Sequence, residues 1–386
     1  MKLQSIMMTV ALAFLLGVSA YGQREADYDK VVVLQTRIDA RDLGYPPIDV
    51  IPDGESGITS LTVAPNGYLY GATSGNRSHL FVLIPRHGYV QPLGVIPGAT
   101  SVTHALAVSA SGDVYIGTNP GGNLLKYTPQ EEFTQPIQIG KPLPVTDLGR
   151  PLTGESISTL TIDRDANIIY GLTSPNAHFF EYEISTAKFI DRGVVATSIP
   201  PGEKFEKEKM MSRMLVVDPS GKAYASGENG SFFRFDPHTQ KIEDLRMQVP
   251  AVPGREAWTR VDAFLLDPSG VIYGGTSDGY LFRLNPKNLT VTNLGKPLDE
   301  GRIDGLVRSA GGKLYGVGGG KNEMARMFSY DPATGAYVVL GFVDVNRRPY
   351  YTWQAYTIGA MTSDGYGTVY IGEDERISRL YIFYPW

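Results

Sequence analysis

Short apolar runs alternate with turns rich in Gly, Pro, Asn and Asp along most of this chain. That pattern predicts short antiparallel strands joined by tight connections, and no helix of any length is apparent. The runs recur as a unit. A tyrosine follows a turn in GYLYGAT (Tyr70), GDVYIGT (Tyr115), NIIYGLT (Tyr170), GKAYASG (Tyr224), GVIYGGT (Tyr273), GKLYGVG (Tyr315) and GTVYIGE (Tyr370). The intervals are 45, 55, 54, 49, 42 and 55 residues. Repeats of that length, each with several short strands, indicate propeller blades.

Each copy has the same parts. An apolar run such as ITSLTVA or VDAFLLD precedes a turn such as PNG or PSG, and the tyrosine strand follows. A third strand ends near a proline (HLFVLIP, FFRFDP, YLFRLNP), and a more polar fourth strand closes the unit. The prediction is all-β: a seven-bladed β-propeller of four-stranded antiparallel blades. The seventh copy reaches only a third strand, LYIFYPW. The segment from Asp29 to Asp39 (DKVVVLQTRID) reads as its fourth, so an N-terminal strand would close the ring and remove an open sheet edge. The stretch from Gly202 to Met211 reads as a short charged helix in an interblade loop.

The first residues change the picture of location. Met1-Lys2, an apolar run from Ile6 to Val18 and the small residues after it have the layout of a secretory signal peptide. The run is shorter than the roughly 20 residues that span a bilayer. The expectation is therefore a signal peptide over 1–23 and a single propeller domain over 24–386, secreted or periplasmic and not inserted in a membrane. The chain has no cysteine, which excludes disulfides, thiolate metal sites and cysteine nucleophiles. Gly 44, Pro 26 and Tyr 23 in 386 residues fit many turns and aromatic strands rather than several mixed domains. A net charge of −5 gives no reason to expect nucleic acid, and leaves room for an anionic ligand at a local basic pocket. No cofactor and no metal are called for, and a monomer is expected.

The meander assigns the loops to faces. Connections between blades, and turns between second and third strands, emerge on one face. That face carries the long segments PLPVTDLGRPLTGES, VPAVPGREAWTR and DVNRRPYYTWQAY, and long loops on a rigid scaffold are where binding and catalysis concentrate. Aligning the copies on their tyrosines brings a polar position to the start of the innermost strand: Thr59, His104, Ser158, Arg213, Asp262 and Asp304 in blades one to six. These side chains should converge at the mouth of the central channel. The plain alternative is a hydrated channel mouth whose polar groups satisfy one another.

Three histidines share this face, His79 and His178 at the start of third strands and His104 in the ring position. Imidazole titrates near neutrality and serves as acid, base or ligand, although a lone histidine is more often structural. Arg213, Arg260 and Arg302 enter the same face from blades four to six; each offers a fork that matches a carboxylate, or pairs with Asp262 or Asp304 instead. Trp258, Tyr350, Tyr351 and Trp353 lie in the interblade loops, where rings can cover sugar faces or simply pack. His87 and His238 belong to turns on the opposite face.

Histidine, arginine and aromatic residues at a channel mouth suit β-elimination at a uronic acid. A cation neutralises the carboxylate and acidifies the C5 proton, a base removes that proton, and an acid protonates the departing oxygen. Arg213 fits the first role and His104 the second, with His79 assisting or acting as acid. The segments SHLFVLIP and VTHALAVSASGDVYIGT resemble those of the seven-bladed-propeller polysaccharide lyases, the ulvan lyases and rhamnose–glucuronate lyases. The resemblance implies an acidic polysaccharide as partner, with His79, His104 and Arg213 catalytic. His178, Arg260, Arg302, Trp258, Tyr351 and Trp353 are then candidates for substrate binding. Two other readings stand beside it: a non-catalytic glycan- or protein-binding propeller, and a glycoside hydrolase using Asp262 and Asp304.

Overall fold

The computed structural model describes residues 51–52, 54–85, 89–130, 140–196, 211–299, 301–320, 323–347 and 351–385. It is the expected seven-bladed all-β propeller. Six sheets have four antiparallel strands, and the seventh shows three among the described residues. Blade one is a simple meander of Gly57–Val63, Leu69–Ser74, His79–Ile84 and Tyr89–Val95 from the channel outward. The seventh blade consists of Ile358–Ser363, Val369–Glu373 and Leu380–Phe383. The segments assigned to the signal peptide and to the closing strand, and the stretch before Met211, lie outside the described residues; Met211 itself is buried in the core. Among the described residues no helix is long and apolar enough to cross a membrane.

All seven repeat tyrosines sit in second strands and are at most 6% exposed. These second strands, and the third strands beside them, are sandwiched between neighbouring blades. They therefore read as continuous buried runs, whereas the outer strand Lys188–Val194 is mostly exposed or half-buried. The glycine after the tyrosine has a packing role. Gly71, Gly171, Gly274 and Gly316 stand opposite Phe81, Phe180, Phe282 and Phe328 in the strand register. Each phenylalanine ring lies over its glycine, and a Cβ there would overlap the ring. Burying such a ring stabilises by roughly 1.5–3 kcal/mol. A second set, Gly117, Gly275 and Gly372, admits the side chains of Ile157, Ile303 and Ile58 from the next blade.

The ring is closed by blade one against blade seven. Gly54 N–H donates to the Arg376 carbonyl at 3.0 Å, Ser56 Oγ donates to the same carbonyl at 3.1 Å, and Ser378 N–H donates to Ser56 Oγ at 3.1 Å. Two small hairpin sheets stand apart from the blades: Ala99–Ser101 with Asn119–Pro120, and Asp344–Arg347 with Tyr351–Gln354.

Candidate functional site at the channel mouth

The ring position has a backbone cause. In blades one, three, five and seven the inner strand is interrupted between Ile58 and Ser60, Ile157 and Thr159, Val261 and Ala263, and Ile358 and Ala360. A bulge of this kind re-aims the extra residue, here Thr59, Ser158, Asp262 and Gly359. The ring residues also stitch blade to blade. His104 N–H donates to the Thr59 carbonyl at 3.0 Å, Leu160 N–H to the His104 carbonyl at 3.0 Å, and Arg213 N–H to the Val261 carbonyl at 2.9 Å.

Blades four to six supply a ladder of alternating charge. Arg260 Nε donates to Asp262 Oδ1 at 2.8 Å, and Arg302 Nε lies 3.9 Å from Asp262 Oδ2. Arg302 Nε also pairs with Asp304 Oδ1, whose other neighbour is Arg213 Nη1 at 3.5 Å. Asp304 Oδ2 accepts from Gly319 N–H at 3.3 Å. Both carboxylates are buried, at 0% and 1% exposure, while the arginine side chains keep 15% to 29%. Burial opposes ionisation of Asp262, but Arg260, Arg213 and Arg302 together hold its pKa below the usual range. For Asp304 burial wins over Arg302 and Arg213 and pushes the pKa up to about 7. The arginines therefore favour the ionised form of Asp262 but do not prevail at Asp304.

His104 faces this ladder from blade two. Its φ of 48° puts it in the left-handed region, outside any hairpin turn, a conformation sparsely used by non-glycine residues. Burial, followed by the charges of Arg213, Arg302 and Arg260, lowers its pKa to about 3, with only Asp262 opposing. The imidazole is neutral, and its Nε2 is buried without a hydrogen-bond partner among the described residues. The rest of this sector carries hydroxyls that satisfy one another or the backbone. Thr59 Oγ1 lies 2.6 Å from Ser74 Oγ and donates to the Val102 carbonyl, and Ser158 Oγ donates to the Leu172 carbonyl.

The structure thus brings His104, Arg213, Arg260 and Arg302 together. His79 does not join them. It is 2% exposed, with Nε2 2.7 Å from Glu55 Oε2, and Arg77 Nε holds the same carboxylate at 3.0 Å. Burial lowers the His79 pKa against the pull of Glu55, so a neutral ring donating Nε2–H to Glu55 accounts for the pair. His178 lies further out on blade three, with Nδ1 3.0 Å from Asp191 Oδ1. Trp258 ends the 3-10 turn Glu256–Trp258, half-buried and two residues before Arg260. Tyr351 and Trp353 lie in the strand Tyr351–Gln354, and their side chains, like residue 350, are outside the described part.

One residue at the mouth carries no signal in the tyrosine alignment. Asp374 follows the second strand of blade seven and is half-buried there. Burial raises its pKa, with Arg213 and Arg302 opposing and Glu375 adding to the rise.

No protein-family model and no curated protein matches the sequence. Solved structures match the fold. Virginiamycin B lyase from Staphylococcus aureus superposes with a TM-score of 0.63 at 11% identity, over 86% of this chain and 96% of that one. An extracellular domain from B. thetaiotaomicron gives 0.59 at 15% identity, over 86% of this chain and 39% of that one. The WD40 repeats of RRP9 give 0.55 at 13% identity, over 86% and 96%. An enzyme, an extracellular domain and a WD40 repeat share this architecture, so function must be argued from the site.

Proposed function

We propose that this protein is an exported polysaccharide lyase that cleaves a uronic-acid-containing glycan by β-elimination at the channel mouth. The observation that carries the reading is a buried imidazole on His104 whose Nε2 has no hydrogen-bond partner among the described residues, facing Arg213, Arg302 and Arg260. Among the described residues Arg213 has a single carboxylate contact, a long one to Asp304, and it is the arginine whose charge most depresses His104. A uronate carboxylate docked on Arg213 would neutralise that charge. The same contact would acidify the C5 proton and restore basicity to His104, so the base strengthens when substrate is in place. Arg260 and Arg302 stand behind, each tied to Asp262 or Asp304, and keep the mouth cationic.

A second reading, a non-catalytic glycan-binding propeller, is favoured by the ladder itself, because Arg260 and Arg302 are already matched to buried carboxylates. The hydrolase reading draws no support from the geometry: Asp262 and Asp304 are almost wholly buried and salt-bridged, with no exposed carboxylate pair to flank a sugar bond. Acidic polysaccharides incubated with the protein and followed in the near ultraviolet test the proposal. Unsaturated uronate should form with the native protein and not with His104→Ala. Binding of a polyuronate with no unsaturated product would establish the second reading instead.

A further inference from the structure

Elimination needs a proton for the departing oxygen, and His79, engaged with Glu55, leaves that role open. Blade seven offers a group for it. Its ring position is Gly359, so no side chain enters the channel mouth there from the inner strand. Asp374 stands beside it: a Cβ on Gly57 would overlap Asp374 Oδ1, and a Cβ on Gly359, which would first meet the Ile58 carbonyl, would lie 3.0 Å from Asp374 Cβ. The carboxyl is therefore seated over Gly57, with its Cβ beside Gly359, at the seam where blade seven meets blade one. Among the described residues its side chain accepts no hydrogen bond, and its own N–H donates to the Thr357 carbonyl at 2.8 Å. The other two ring carboxylates, Asp262 and Asp304, are locked in the ladder; Asp374 is not.

We propose that Asp374 is the general acid of the channel-mouth site, donating its proton to the glycosidic oxygen that leaves when a uronate chain is cleaved. The inference rests on the lyase reading and supplies its missing group. In the reaction the His104 imidazole takes the C5 proton, the C5 electron pair forms the C4=C5 double bond, and the C4–O bond breaks. The departing oxygen takes the Asp374 proton, leaving an imidazolium and a carboxylate that re-equilibrate through solvent. The charged groups facing Asp374 are Arg213 from blade four, Arg302 from blade six and its neighbour Glu375, while Gly57 and Gly359 bring none. Burial favours the protonated carboxyl, and only the two arginines oppose it. A substrate carboxylate bound to Arg213 weakens that opposition, so docking keeps the acid protonated as it makes His104 a better base.

The test compares the native protein with Asp374→Asn on a polyuronate and on a uronate bearing a nitrophenoxy group at C4, which leaves without protonation. On the polymer kcat should fall by about 10²–10⁴-fold with KM little changed, the span usual for general acid catalysis. The fall in kcat as pH rises through the Asp374 pKa should vanish, and the nitrophenoxy substrate should be cleaved at close to the native rate. Native kcat in Asp374→Asn, or an equal loss on both substrates, would overturn the acid role while leaving the lyase reading intact. Absence of unsaturated product from the native protein with every polyuronate and with the nitrophenoxy uronate would overturn both.

Discussion

His79 starts the third strand of blade one and His104 holds the ring position of blade two; burial lowers the pKa of both rings, yet their surroundings differ completely. His79 has a carboxylate at 2.7 Å that is itself held by Arg77. His104 has an empty Nε2 and faces arginines. A buried polar group without a partner costs free energy, of order 1–3 kcal/mol, and is retained where it serves something other than stability. The first histidine is satisfied by Glu55, and the second is the proposed base.

The largest effect that separates them is on turnover. His104→Ala should lower lyase activity by about 10²–10⁴-fold, the usual worth of a general base. His79→Ala, assayed per folded molecule, should retain it. Equal losses in the two variants would erase the distinction. Stability should invert the order. Removing His79 deletes a hydrogen bond to a buried charge and should cost about 1.5–3 kcal/mol by denaturant unfolding, whereas removing the His104 ring deletes no hydrogen bond and should cost less.

The ladder gives a pH test. With a folded pKa raised from 3.8 to about 7, Asp304 holds a proton in the folded state at pH values where the unfolded chain has lost it. Its contribution to stability is therefore greatest below its unfolded pKa and declines as pH rises through the interval between the two values. Asp262 and Glu55, with lowered pKa values, contribute in the opposite sense and lose their contribution in acid. Melting temperatures at mildly acidic and mildly alkaline pH should fall less between the two conditions in Asp304→Asn than in the native protein; an unchanged fall would contradict the assignment. The smallest effect belongs to His178, whose pair with Asp191 is partly exposed. His178→Ala should change unfolding free energy by less than about 1 kcal/mol, the range of surface ion pairs.

The tyrosine repeat made the fold legible because each blade needs the same buried second strand, and Tyr70 and Tyr370 report one environment from opposite ends of the ring. The ring position was legible for the same reason: a bulge at a fixed place in the repeat aims Thr59, Ser158 and Asp262 alike. Partners were not. Glu55 lies 24 residues before His79, in a segment between blades that no alignment of repeats compares. Asp374 escaped because it follows a second strand rather than opening an inner one, and its place against Gly57 of blade one is visible only once the blades stand side by side. The balance between burial and arginine charge that raises Asp304 and lowers Asp262 depends on distances that spacing does not encode.

His104 is the proposed base, held neutral by burial and by the charges of Arg213, Arg302 and Arg260. An NMR titration of the His104 ring, alone and with a uronate oligosaccharide, tests it most directly. In the free protein the ring should stay neutral well below the ordinary histidine pKa, and its pKa should move upward when the uronate binds. Ordinary titration near 6.5 in the free protein, or no movement with bound uronate, would contradict it.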